Sequence, residues 1–175
     1  ILGVSFVSGT YIFTDSIGNT FNNLFKDIYS GTDLTIRPKV GDFTQSGTVS
    51  FSADLLEKVK KVNGVSAAEG AAAGYAQFLD RDEKPIGGQG PPTLGVSWGA
   101  ERGLNPLSIK DGNGRAPENP GEVVMDKATA DKNGFKVGDK VKILLLGPPE
   151  EFTITGIASF GQADGLAGAT IAVFS

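Results

Sequence analysis

The chain has 175 residues, of which 39% are apolar and 21% charged, and its formal net charge is -4. This size supports one sizeable core or two small lobes that share a surface, and the acidic balance excludes nucleic acid as a partner, since a phosphate backbone needs clustered Lys and Arg. Cys and His are both absent, which removes disulfides, thiolate and imidazole catalysis and almost every zinc or copper site, so we expect no cofactor and no metal.

The N-terminal run Ile1 to Thr14 carries no charge and contains the small residues that membrane helices tolerate. At about 1.5 Å per residue the run is too short to cross roughly 30 Å of hydrocarbon. We interpret it as the outer end of a truncated membrane span, and a buried segment of a water-soluble core is the alternative. Because the chain begins with Ile rather than Met, we expect it to be a piece of a longer protein.

An amphipathic helix is predicted directly after this run. Apolar residues recur at spacings of four, four, three and four, which lay one stripe along a helix: Phe13, Ile17, Phe21, Leu24 and Ile28. The other side is polar, as in a membrane helix that continues into water as a stalk. Alternatively, the stripe packs on the domain core. Gly31 is a plausible C-terminal cap.

The next elements are predicted as strand, helix and strand. Leu34 and Ile36 alternate with polar neighbours within Asp33 to Arg37, which is typical of a half-buried strand. Ser52 offers an N-cap to a short helix that Asn63 and Gly64 close. The run Val65 to Asp80 is Ala-rich, but its glycines and aromatic residues favour a strand.

Regular structure is expected to be short across the Gly- and Pro-rich stretch from Arg81 to Pro120. A sharper pattern follows, with strands at Glu122 to Met125, around Val141 to Leu145 and around Phe152 to Ile157. A short helix over Asp126 to Asn133, capped by Gly134, separates the first two of these strands. Together these strands and helices predict an α+β domain.

The run GEVVMDKATADKNGFKVGDKVKI, from Gly121 to Ile143, and the later FTITGIASFG, from Phe152 to Gly161, resemble the extracytoplasmic core domain of MacB/FtsX-type ABC-transporter permeases. The opening GVSFVSGTYIFTDSIGNTFNNLF resembles the first membrane span of such permeases as it leaves the membrane, and YSGTDLTIRP is similar to the first strand of their domain. The likeness is closest to the actinobacterial members. TIAVF, before Ser175, resembles another strand.

The resemblance implies an organisation for the chain. Residues 1–30 would form the end of the first span and the stalk helix, and residues 31–175 an incomplete extracytoplasmic core domain. Within that domain, a membrane-near strand-helix-strand lobe would comprise about residues 31–80 and 151–160. An inserted mixed α/β distal lobe would span about residues 84–149.

The resemblance also implies a function. The domain would lie on the extracytoplasmic side of the cell membrane, carry no catalytic activity itself, and relay ATP-driven motion through the stalk. Its partners would be a permease dimer mate, an ABC ATPase subunit reached through the membrane domain, and an external lipid, lipoprotein, peptide or cell-wall hydrolase.

Two other functions stay open. The first is a binding module in which Trp98, the only tryptophan, contacts a ligand or partner; burial of Trp98 in the core would be the structural alternative. The second is a hydrolase that uses two carboxylates, drawn from Glu101, Asp111, Glu118 and Glu122. The run DGNGR from Asp111 also resembles the start of a calcium loop, but Arg115 stands where the loop needs an oxygen ligand and Ala116 where it needs glycine.

Overall fold

The structure, a computed structural model, describes residues 31–36, 52–88, 90–161, 163–166 and 168–175. The predicted membrane run and stalk helix lie outside these residues. The described elements, in chain order, are α1 (Asp54–Lys60), β1 (Ala73–Tyr75), β2 (Gln77–Phe78), β3 (Thr93–Ser97), β4 (Leu107–Gly114), β5 (Glu122–Asp126), α2 (Lys127–Asn133), β6 (Lys140–Leu144), β7 (Glu150–Phe160) and β8 (Thr170–Phe174).

All the described strands join one curled sheet in the order β1-β3-β8-β5-β7-β6-β2, with β4 beside β7. The two end strands, β1 and β2, are separated in the chain only by Ala76. The sheet therefore bends back on itself, because a single kinked stretch of chain supplies both of its ends. The prediction of a domain that mixes strands and helices is confirmed, while the two-lobe arrangement and the stalk stay predictions.

Strand β7 is the centre of the sheet because it is the longest described strand and pairs on both sides. One side pairs in parallel with β5, and the other pairs antiparallel with β6 near its start and with β4 near its end. The change from β6 to β4 falls around Gly156, which is opposite Gly114 in β4. Two adjoining strands can thus use one edge of β7 in turn.

Two clusters of buried side chains fill the two faces of the sheet. The first contains Phe78, Val123, Met125, Ile143 and Ile154, which are all fully buried. The second contains Val124, Ala158, Phe160, Ile171 and Val173. Neighbours in β5 thus point to opposite clusters, as the period of two in a strand requires.

The C-terminal half agrees closely with the elements predicted from sequence. Helix α2 begins after Asp126, whose side chain caps it, and ends at Gly134, which adopts a left-handed conformation with φ of 69°. Strand β6 has the predicted alternation, with Val141 and Ile143 buried between exposed lysines. Prediction from sequence succeeds here because the caps of α2 and the two-residue alternation of β6 lie within these elements or directly next to them.

The predicted strand at Asp33 to Arg37 is wrong for the described residues 33–36, which pair with no described strand. Leu34 is 80% exposed and Ile36 is 48% exposed. An alternating pattern is not sufficient for a strand, because a strand also needs a neighbouring strand with which it pairs. The strand predicted over Val65 to Asp80 forms only in its second half, as β1 and β2. Strand β4 appears inside the stretch expected to have little regular structure, and it extends through the Asp111 turn sequence.

Candidate functional site

An apolar groove of about 560 Å³ lies between β1 and the start of the β6–β7 hairpin. Its walls and floor are formed by segments that are far apart in sequence: Ala72 to Tyr75, Gly95 to Ser97, Pro120 to Glu122, Leu145, Glu150, Phe152, Phe174 and Ser175. The groove opens onto one end of the first core cluster, because Phe152 belongs to that cluster and Leu145 and Phe174 pack against it. It is the best candidate for a binding surface in the described part of the chain.

Two aromatic rings form the floor of the groove. The rings of Phe152 and Phe174 meet edge to face, with centroids 5.3 Å apart and an interplanar angle of 64°. Gly95 lies beside them, and a Cβ added there would come within 3.2 Å of the Phe174 ring and 2.9 Å of Ala76 Cβ. The floor is open because glycine occupies this position. Tyr75, on the β1 wall, is 43% exposed.

A charged cluster stands at the rim of the groove. The two guanidinium nitrogens of Arg115 contact the two carboxylate oxygens of Glu122 at 2.9 Å and 2.6 Å, a bidentate ion pair. The backbone N–H groups of Glu118 and Asn119 also donate to Glu122 Oε2, at 2.8 Å and 3.2 Å. The hydrogen bonds from Arg115, with those backbone groups, hold the pKa of Glu122 far below its usual range.

In this cluster two residues of the calcium-like sequence, Arg115 and Glu122, are bound to each other. The carboxylate of Glu122 is already bound by Arg115, so it is neither a free ligand nor a general acid. Across residues 52–88, 90–161 and the shorter described segments, no group of three acidic side chains is placed to hold a metal ion. The hydrolase interpretation therefore gains no support from Glu122.

Asp126 is the second polar feature of interest, and it lies inside the domain. It is 1% exposed, and its two oxygens accept from the backbone N–H of Thr129 at 2.9 Å and of Ile171 at 2.8 Å. One side chain thus joins the end of β5, the first turn of α2 and strand β8. Burial raises the pKa of Asp126 above its ordinary value, and the two N–H groups oppose that shift.

Of the residues singled out from sequence, Glu122 lines the groove and Trp98 does not. Trp98 is half-buried and packs against the second core cluster, and its backbone N–H donates to the Phe174 carbonyl at 2.7 Å. A contact role for Trp98 stays a prediction. The stalk residues Phe13, Ile17, Phe21, Leu24 and Ile28 lie outside the described residues, so their predicted role is likewise untested.

The groove itself was missed from sequence because no local pattern marks it. Its parts come from segments that are far apart in the sequence, and only the sheet topology brings them together. Within the described residues no helix is long and apolar enough to cross a membrane.

The fold is a small mixed α/β domain built on a curled sheet, with an apolar groove at one end of its first core cluster. The chain belongs to the MacB-like periplasmic core domain family, whose sequence model matches residues 1–174. Domains of this family are parts of ABC-transporter permeases, which confirms the resemblance seen in the sequence and implies an extracytoplasmic location. A comparison with curated proteins found no match.

Proposed function

We propose that this domain relays ATP-driven motion from the membrane to an external partner through the helix predicted over Phe13 to Tyr29. The observation that carries the proposal is the family match, which begins at residue 1 and so includes the apolar run and the amphipathic stripe together with the domain. The family implies a permease that works with an ATPase and a dimer mate. The domain would be the part that transmits the ATPase cycle to the outside of the membrane.

The described structure supports this proposal through its packing, because its strands join one sheet with a buried cluster on each face. The two end strands of the curled sheet, β1 and β2, follow one another in the chain, and the side chain of Asp126 joins α2, β5 and β8. A displacement at one edge of such a sheet would be passed to the neighbouring strands, since a close-packed core transmits strain. The moving parts would then be the junction with the stalk and the contact with a partner.

A binding module is the second candidate, and the apolar groove favours it. The floor of Phe152 and Phe174 and the exposed Tyr75 resemble the aromatic anchors of protein interfaces more closely than the half-buried Trp98 does. The two functions are compatible, because a relay must hold its external partner while it moves. The lipid, lipoprotein, peptide and cell-wall hydrolase partners remain alternatives.

A charge placed on the predicted stalk stripe tests the relay. In the complete transporter, Phe21→Asp or Leu24→Asp is expected to lower transport-coupled ATP hydrolysis about tenfold or more, because burying an unpaired carboxylate costs more than the ~1.4 kcal/mol that tenfold represents. ATP hydrolysis and transport are measured together in reconstituted vesicles.

Asn22→Asp is the matched control, since it adds the same charge on the polar side of the same helix. It is expected to leave coupling close to the unmodified level. The relay is wrong if all three variants couple ATP hydrolysis to transport as the unmodified protein does.

A further inference from the structure

Residues 164–166, which lie between β7 and β8, pass over the buried carboxyl of Asp126, and we name them the strap. A Cβ added to Gly165 would come within 3.7 Å of Asp126 Oδ1 and within 2.6 Å of Ala128 Cβ. The backbone of the strap therefore lies directly against both residues. Because Asp126 is only 1% exposed, the strap is part of what keeps water away from its carboxyl.

Asp164 fastens the strap to the first turn of α2 and to the end of β7. Its backbone carbonyl accepts from the Ala128 N–H at 2.8 Å, which satisfies one of the N–H groups that a helix leaves free in its first turn. Its Oδ1 accepts from the Ser159 hydroxyl at 3.4 Å, and its Oδ2 lies 3.5 Å from Lys127 Nζ. One residue of the strap thus makes contact with two elements of the domain.

The strap is anchored at both ends. Before it, Ala163 and Phe160 exchange two backbone hydrogen bonds of 2.8 Å. After it, the N–H of Ala169 donates to the Leu166 carbonyl at 2.8 Å. Gly165, in the middle, has the backbone freedom of a residue without a side chain. A movement of the strap would therefore be confined to these few residues and would leave the two anchors in place.

The carboxyl beneath the strap is joined directly to β8. Asp126 Oδ2 accepts from the backbone N–H of Ile171 at 2.8 Å, and Ile171 is the second residue of that strand. The last residue of β8 is Phe174, whose ring belongs to the floor of the groove. A change at the strap thus acts on the strand that carries part of this floor.

The contacts that hold the strap are exposed, whereas the group that it covers is buried. The side chain of Asp164 is 53% exposed and that of Lys127 is 29% exposed, so water competes for their ion pair and the pair stabilises the strap only weakly. Lys127 also pairs with Asp131, which remains its partner when Asp164 moves away. Segments held by exposed contacts open locally at a much smaller free energy than the whole fold does.

We infer that the strap is a cover that opens and closes over Asp126, and that Asp164 is the latch that holds it closed. When the strap is closed, the carboxyl of Asp126 is sealed from water and holds the start of β8 through Ile171. When it opens, water reaches the carboxyl and the Ile171 N–H. This device belongs to the domain itself, so it does not rest on the proposed relay.

Amide hydrogen exchange of the whole chain, followed by NMR, tests the latch. Asp164→Ala is expected to speed exchange of the Ile171 N–H about fivefold or more, because the closed strap loses its ion pair and its hydrogen bond from Ser159. The reference amide is that of Leu79, which donates to the Lys142 carbonyl at 2.9 Å in another part of the sheet. Its exchange rate is expected to stay the same, because the strap does not cover it.

Asp131→Ala is the matched control, since it removes the other acidic partner of Lys127 and leaves every contact of the strap in place. Faster exchange at Ile171 in Asp164→Ala alone, with Leu79 unchanged, supports the latch. Three results overturn it: an unchanged rate at Ile171, an equal acceleration at Ile171 and Leu79, which would mean a general loss of stability, or an equal effect of the two substitutions. Because the exchange needs no ATP, a failed relay experiment would leave this result unchanged.

Discussion

Asp126→Ala is expected to lower the free energy of unfolding by about 2 to 4 kcal/mol, because it removes the cap of α2 and leaves a second buried N–H without a partner. The two N–H groups belong to Thr129 and Ile171, and the side chain that joins them is 1% exposed. Urea unfolding followed by circular dichroism measures the change.

Asp131→Ala is the matched control, because it makes the same substitution on the same helix at an exposed side chain. Asp131 is 62% exposed and forms a surface ion pair with Lys127, so its loss is expected to cost less than about 1 kcal/mol. Equal losses in the two variants would show that Asp126 does not tie the elements together.

The pH dependence of Asp126 has a definite sign. Burial raises the pKa of Asp126 in the folded protein above the unfolded value of about 3.9. Between these two pKa values the folded protein therefore binds more protons than the unfolded chain does. The contribution of Asp126 is therefore fully present below the unfolded pKa and is lost as pH rises through the folded pKa. Asp126→Asn lacks this term, so its unfolding free energy should fall less than that of the unmodified protein over the same rise in pH.

Gly156→Val is expected to break the pairing of β4 with β7. A Cβ on Gly156 would collide with the carbonyl of Arg115, and it would lie 2.9 Å from Ile109 Cδ1 and 3.1 Å from Val124 Cγ2. The backbone cannot move aside easily, because Arg115 N–H donates to the Thr155 carbonyl at 2.8 Å. Overpacking of this kind costs about 1 to 3 kcal/mol, and the branched side chain places valine at the upper end or beyond.

The opposite strand sharpens this prediction. Gly114, which is paired with Gly156, has a φ of 86°, so a side chain there is strained in addition to meeting the Thr155 carbonyl. Gly147→Ala is the control, since an added Cβ at that position meets nothing within 4 Å. A thermal melt should show a large drop for Gly156→Val and almost none for Gly147→Ala. Similar melts would contradict the close crossing.

The sequence predicts best where an element carries its own signals. Helix α2 is an example, because the residues that cap it, Asp126 and Gly134, are local in the chain. Strand β6 is another, because Val141 and Ile143 alternate with lysines. The family resemblance rests on the same region, and the family match over residues 1–174 confirms it.

The sequence predicts poorly where tertiary contacts decide. Strand β4 runs through a turn-like sequence because it pairs with the edge of β7 beside Gly156. No residue pattern near Asp111 predicts that pairing. Residues 33–36 carry a strand pattern, yet a strand needs a partner as well as a pattern. The groove depends on the place where β6 leaves the sheet, which only the pairing of Gln77 with Leu144 reveals.

The relay makes one direct claim, namely that ATP binding at the cytoplasmic subunits moves the external domains. The measurement is the distance between spin labels at Lys132→Cys in the two copies of the complete permease, recorded without nucleotide and with ATP bound. The relay predicts that the distance distribution shifts by more than its own width. An unchanged distribution in a transporter that still hydrolyses ATP would contradict it.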